Sequence, residues 1–82
     1  MAEIAREELV LAARRHRRPG ISVRQAFVLA YAELTDAALD PWSFDDAAVI
    51  LRAETLLIEG LDVVTALATA RAEFAAFAEA VS

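Results

Sequence analysis

Residues 20–27 read GISVRQAF, and residues 60–67 read GLDVVTAL. The two segments lie 40 residues apart and share a glycine, an aliphatic residue, a polar capping residue, a valine and an alanine at matched positions. The match closes on an Ala-Glu-apolar run at residues 32–34 and 72–74. Such a unit is typical of helical repeats, which cannot bury their apolar face alone. The sequence therefore predicts a duplicated helical hairpin; the alternative is convergence on one capping scheme.

Composition limits the classes of protein to which the chain can belong. Its 82 residues make one domain, residues 1–82, and 59% of them are apolar, against about 45–50% in ordinary domains. There is no cysteine and one histidine, which excludes disulfides and a Cys/His zinc cage. No uncharged run approaches the roughly 20 residues of a membrane span, and the amino terminus is too acidic for a secretory signal. We expect a soluble, cytoplasmic protein with no membrane partner, metal or cofactor.

The first two predicted helices form hairpin 1, about residues 3–39. The first covers about residues 3–17, with glutamates early and arginines late, which suits the helix dipole. Pro19 and Gly20 stop it, because proline cannot continue a helix and glycine accepts the left-handed conformation. A capping box of Ser22 and Gln25 begins the second helix at Val23, and this helix is predicted to run to about residue 38.

Hairpin 2 is predicted at about residues 43–80. Ser43 caps the third helix, which ends near Ile58 and is closed by Gly60, and Asp62 caps the fourth helix, which runs to about residue 80. The predicted loops between helices have about three to five residues, and loops of this length force sequential helices to lie antiparallel. The predicted fold is all-α, with four antiparallel helices in a four-helix bundle or a short helical-repeat stack.

Helical spacing predicts which apolar side chains face the core. The second and fourth helices each carry a stripe that follows the i, i+4, i+7, i+11, i+14 rule. These stripes are expected to face one another or a shared core. They consist of Val23, Phe27, Ala30, Leu34 and Ala37 in the second helix and of Val63, Leu67, Ala70, Phe74 and Phe77 in the fourth.

Apolar residues outside these stripes predict self-association. The third helix is apolar almost all round, and a small four-helix monomer surrounds none of its helices completely. We therefore expect a homodimer through the second and third helices; the alternative is a large but ordinary core. The candidate interface consists of Val28, Leu29, Tyr31, Val49, Ile50, Leu57 and Ile58.

The charges are distributed unevenly over a chain of net charge −5. Residues 41–82 carry two arginines against seven acids. The first half contains a basic cluster whose favoured role is to complement the helix dipole and to pair with acids of the second half. Contact with nucleic acid and docking of an acidic protein are the alternatives, and the acidic second half allows an antitoxin-like inhibitor of a basic partner. The cluster is Arg14, Arg15, Arg17, Arg18 and Arg24.

No arrangement of residues indicates catalysis. There is no phosphate-binding glycine loop, and adjacent acids point about 100° apart, so they form no carboxylate pair. His16 is expected at the surface, and Glu33 and Glu73 as solvated or ion-paired residues, with a meeting at a pseudo-twofold axis as the alternative. Trp42 is expected to plug the end of the bundle; the alternative is an exposed anchor. The predicted function is a non-enzymatic interaction or structural module.

Overall fold

The computed structural model describes residues 4–35 and 37–81, and within them the chain forms four α-helices and no β-strand. These are α1 (Arg6–Arg15), α2 (Val23–Leu34), α3 (Phe44–Ile58) and α4 (Val63–Val81). The all-α prediction is confirmed. The first helix is shorter than predicted: it begins at Arg6 after the extended Ala5 and ends at Arg15, whereas the prediction ran from Glu3, which lies outside the described residues, to about residue 17.

The starts of α2, α3 and α4 are fixed by the predicted capping residues. The Ser22 hydroxyl accepts a hydrogen bond from the Gln25 backbone N–H at 3.1 Å, and the Gln25 side-chain oxygen accepts one from the Ser22 N–H at 3.2 Å. Ser43 and Asp62 each accept a bond from the backbone N–H three residues later, at 3.5 and 2.7 Å. Because each cap satisfies an N–H that the first turn leaves without a partner, these residues set where the helices begin.

The ends of α1 and α3 are followed by the two glycines. Gly20 has φ +89° and Gly60 has φ +107°, conformations that residues with a Cβ rarely adopt. The helix α2 ends at Leu34, four residues before its predicted end. The Thr35 hydroxyl donates a hydrogen bond to the Tyr31 carbonyl oxygen at 2.9 Å. The backbone N–H of residue 37 donates one to the carbonyl oxygen of residue 32. These bonds satisfy carbonyl groups at the end of the helix.

The four helices pack as a bundle in which α2 is central. Among the described residues, α2 contacts each of the other helices, α3 contacts α2 and α4, and α1 contacts α2 alone. The main core lies between α2, α3 and α4. Its buried members are Val28, Leu29, Ala32, Leu39, Val49, Ile50, Ala53, Leu56, Ala66, Leu67 and Ala70.

A second, smaller core joins α1 to α2. Its buried residues are all alanines, Ala12 and Ala13 from α1 and Ala26 and Ala30 from α2. Larger apolar residues that are partly buried pack against these alanines, namely Leu9, Ile21, Phe27 and Leu34.

The predicted stripe of α2 is wrong in part. Phe27, Ala30 and Leu34 do pack toward α1, but Val23 and Ala37 are exposed. The face of α2 that enters the main core is the one with Val28, Leu29 and Ala32, because α3 and α4 both pack there.

The predicted stripe of α4 is confirmed from Val63 to Phe74 and wrong at Phe77. Leu67 and Ala70 are buried, and Val63 and Phe74 pack against the same core. Phe77 is exposed, because no residue of α4 after Ala70 is buried and the helix extends beyond the core.

Candidate functional site

Most residues of the predicted dimer interface lie in or against the chain's own core. Val28, Leu29, Val49 and Ile50 are buried there, so the prediction that they form an external surface is wrong. Tyr31 and Leu57 are half-buried and pack against the same core. Of the seven candidates, Ile58 alone is largely exposed, at 62%. The reason is that three helices pack on α2 and two on α3 within the described residues, which the spacing of apolar residues within one helix does not reveal.

A different apolar surface of α3 faces solvent. Phe44, Leu51 and Ile58 are 88%, 56% and 62% exposed. They recur every seven residues, which is close to two helical turns, so all three lie on one face of the helix. Between them are the small residues Ala48 and Thr55. We call Phe44, Leu51 and Ile58 the α3 stripe.

Charged residues follow one edge of the α3 stripe. Asp45, Arg52 and Glu59 each come one residue after a stripe residue and are exposed. The Arg52 Nε donates to Glu73 Oε1 at 2.7 Å and its Nη2 to Glu73 Oε2 at 3.2 Å, which occupies the guanidinium. With Arg52 paired, the edge carries the negative charge of Asp45 and Glu59.

The Arg52–Glu73 ion pair shifts the pKa of both residues. The hydrogen bonds and the charge of Glu73 raise the pKa of Arg52, and the hydrogen bond from Arg52 lowers the pKa of Glu73. This outcome confirms the prediction that Glu73 is an ion-paired residue. Glu33 is also ion-paired, through its Oε1 to Arg15 Nη2 at 3.2 Å. The two glutamates thus each join the two helices of one hairpin.

We expect the Glu73→Gln variant to lose less stability than the wild type as the pH falls. The folded protein holds the pKa of Glu73 below the usual 4.5, so the pair contributes fully above that pH and is lost as the pH falls through the lowered value. The effect is small because both side chains are partly exposed. Urea unfolding of the wild type and the variant from about pH 6 to about pH 3 measures it. Parallel stability curves would contradict this account of Glu73.

Trp42 does not plug the end of the bundle, and that prediction is wrong. Its side chain is 77% exposed, and with Pro41 and Leu51 it lines an apolar groove of about 240 Å³. Two hydrogen bonds from backbone N–H groups hold the linker at Trp42. The backbone N–H of Trp42 donates to the Asp40 carboxylate at 2.9 Å, and the backbone N–H of Asp40 donates to the Asp46 carboxylate at 2.8 Å. The groove places an exposed aromatic residue next to the middle of the α3 stripe.

The predicted basic cluster is exposed throughout, and Arg15 alone of its five members has an ion pair in the described part of the chain. Its partner, Glu33, belongs to the first half of the sequence, so the predicted pairing with acids of the second half is wrong. His16 is half-buried, with its Nε2 2.5 Å from the second oxygen of Glu33. The prediction of His16 as a surface residue therefore misses its contact between α1 and α2.

Two of the arginines line an apolar groove between α1 and α2. Arg14 and Arg17 stand beside a lining that includes Val10, Val23 and Phe27, and the groove has a volume of about 280 Å³. A second depression along α1 shares Val10 and Arg14 with it and is also lined by Arg6, Glu7 and Leu11. Both helices line the groove, which runs over their alanine contact at Ala13 and Ala26. We call it the α1–α2 groove.

Within residues 4–35 and 37–81, no three histidines or carboxylates stand together in a way that would hold a metal ion. None of the helices in this part of the chain combines the length and apolarity needed to cross a bilayer. No protein-family model, curated protein or solved structure matches the chain.

Of the α3 stripe, the predicted interface contains Ile58 but not Phe44 or Leu51, although one signal for all three is visible in the sequence. Phe44, Leu51 and Ile58 repeat every seven residues, and each is followed by a charged residue. A heptad spacing with charges at its edge is typical of a helix that packs against another helix. That pattern distinguishes the exposed face of α3 from its buried face, where Val49, Ile50, Ala53 and Leu56 lie.

Proposed function

We propose that this chain is a non-enzymatic protein-interaction module that self-associates as a homodimer through the α3 stripe. The observation that carries the proposal is that three large apolar side chains, more than half exposed, occupy one face of one helix. A contiguous apolar patch on a small domain usually marks a contact with another protein, because leaving it in water is unfavourable.

The surroundings of the stripe support the same proposal. Trp42 and Leu51 line one groove, so the apolar surface extends from α3 onto the preceding linker. Tryptophan is enriched among the residues that contribute most to binding at protein interfaces. The charged residues at the edge of the stripe provide the polar rim that such interfaces have.

Contact with nucleic acid is the second candidate function. It is favoured by Arg14, Arg17, Arg18 and Arg24, which are exposed and make no ion pair within the described residues. We place it second because Arg14 and Arg17 flank an apolar groove, and apolar floors suit protein side chains better than phosphates. An inhibitor of a basic partner, the third hypothesis, would use the acids beside the α3 stripe.

The proposal is tested by comparing charged substitutions at two adjacent positions of α3. Ile58 is exposed and Leu57 packs against the main core. We expect Ile58→Glu to remain helical and become monomeric, whereas Leu57→Glu loses stability because a charge enters the core. Circular dichroism and light scattering after size exclusion provide the two measurements.

The matched control is Val64→Glu, which replaces an exposed apolar residue of α4 that lies outside the stripe. It should remain folded and dimeric. A folded Ile58→Glu variant that kept the wild-type mass would show that the α3 stripe is not the interface.

A further inference from the structure

We infer that the α3 stripe of one copy binds in the α1–α2 groove of a second copy. The inference rests on the proposed self-association and names the surface that receives the stripe. It assigns a role to the groove, to Arg14 and to Arg17, none of which the stripe itself explains.

The α1–α2 groove has the features of a receptor for an acidic amphipathic helix. Its lining is apolar, and it includes Val23, which is exposed although it is a large aliphatic residue. Arg14 and Arg17 line the groove and have no ion-pair partner in the described part of the chain, so their charges are available to a ligand. An apolar floor beside unpaired cations selects a helix with apolar anchors and neighbouring carboxylates.

The α3 stripe is a helix of that kind. Its anchors at positions 44, 51 and 58 lie on one face, as helices that bind in grooves require. Asp45 and Glu59 lie beside the first and last anchors, 14 residues or about 21 Å apart along the helix, so one of them at a time can meet Arg14 and Arg17, which are three residues apart. Arg52, between them, is already bound to Glu73 and does not cancel their charge toward a partner.

Charge argues against the simpler arrangement in which two copies pair α3 on α3. An antiparallel pair centred on Leu51 brings Asp45 of one copy near Glu59 of the other. A parallel pair brings each acid near its own counterpart. Like charges in contact oppose association in both cases, whereas the α1–α2 groove presents opposite charges.

The stripe must reach a groove on another molecule. Within the described residues α1 contacts α2 alone and does not contact α3, so the stripe and the groove belong to separate surfaces of one chain. In a two-fold dimer each copy would give its stripe and receive its partner's, so the contact would occur twice.

The test uses two double variants that each damage one side of the contact. Arg14→Glu with Arg17→Glu alters the groove, and Leu51→Lys with Ile58→Lys alters the stripe; all four positions are exposed. We expect each variant to be a helical monomer, with affinity lowered about tenfold or more for each reversed arginine. Mixed at equal concentrations, the two should form a two-chain particle, because one contributes an intact stripe and the other an intact groove.

The control is Arg18→Glu with Arg24→Glu, which makes the same change of net charge at exposed arginines that do not line the groove. It should keep the wild-type mass in light scattering. Arg14→Gln with Arg17→Gln serves as a milder groove variant should circular dichroism show a loss of helix in the charge-reversed one.

Three results would overturn the inference in distinguishable ways. A groove variant that associates like the wild type would leave the α3 stripe as the interface but remove the groove as its receptor. Two monomeric variants that fail to associate when mixed would do the same. A wild-type chain that is itself monomeric would remove the proposed self-association together with the inference.

Discussion

Leu29→Ala is expected to lower the free energy of unfolding by about 2–5 kcal/mol. Leu29 is 2% exposed and belongs to the main core, on α2, which contacts all three other helices in the described part of the chain. Truncating it removes apolar burial and leaves a cavity between α2, α3 and α4, which relax only in part. Since small domains are stable by about 5–15 kcal/mol, this one substitution removes a large part of the total.

The control for Leu29→Ala is Val64→Ala, an apolar-to-alanine change at an exposed position of α4 outside both the α3 stripe and the α1–α2 groove. It should alter stability by no more than about 0.5 kcal/mol. Urea unfolding at one fixed protein concentration compares them, because self-association makes stability depend on concentration. Equal losses in the two variants would mean that the core does not lie where α2 meets α3 and α4.

Gly60→Val is expected to destabilise the protein by about 1–3 kcal/mol through the backbone alone. Gly60 has φ +107°, and a Cβ added there would meet no atom within 4 Å. The cost therefore comes from forcing a β-branched residue into a conformation that it rarely adopts, and not from a clash. This effect sits in the turn that joins α3 to α4.

Gly60→Asn is the control, because asparagine tolerates positive φ better than other residues with a Cβ. Its loss of stability should be clearly smaller than that of Gly60→Val in the same urea titration. Equal losses for valine and asparagine would contradict the assignment of the effect to φ.

The positions of the helices could be predicted because the signals that set them are local. Ser22 with Gln25, Ser43 and Asp62 each act on backbone groups within one turn, so their effect is visible in a few residues of sequence. The glycines at 20 and 60 act equally locally. The end of α2 was predicted four residues late because the bonds made by Thr35 offer the backbone an alternative to another helical turn.

Which face of each helix is buried could not be predicted with the same success, because burial depends on how many neighbouring helices each helix has. Both faces of α2 are apolar, and Val28 and Leu29 are deeper than Phe27 because two helices pack on their side. For α3 the same ambiguity placed Val49 and Ile50 in the predicted interface, although they are core residues. The prediction for Trp42 fails too, since this residue is 77% exposed in a linker whose backbone is bonded to Asp40 and Asp46.

Some predictions rest on the sequence alone. The antiparallel order of the helices and the origin of the hairpins by duplication stay predictions. The hairpins do share local structure, since each glycine with positive φ comes two residues before a capping residue. Each hairpin also has one glutamate that bonds across its two helices, Glu33 to Arg15 and Glu73 to Arg52.

The measurement that tests the central claim most directly is the solution mass of the wild-type chain by light scattering after size exclusion, over a wide range of protein concentration. The exposed α3 stripe predicts a particle of twice the 8.9 kDa chain mass, which separates into single chains only on strong dilution. A mass of 8.9 kDa at every concentration would contradict self-association through α3.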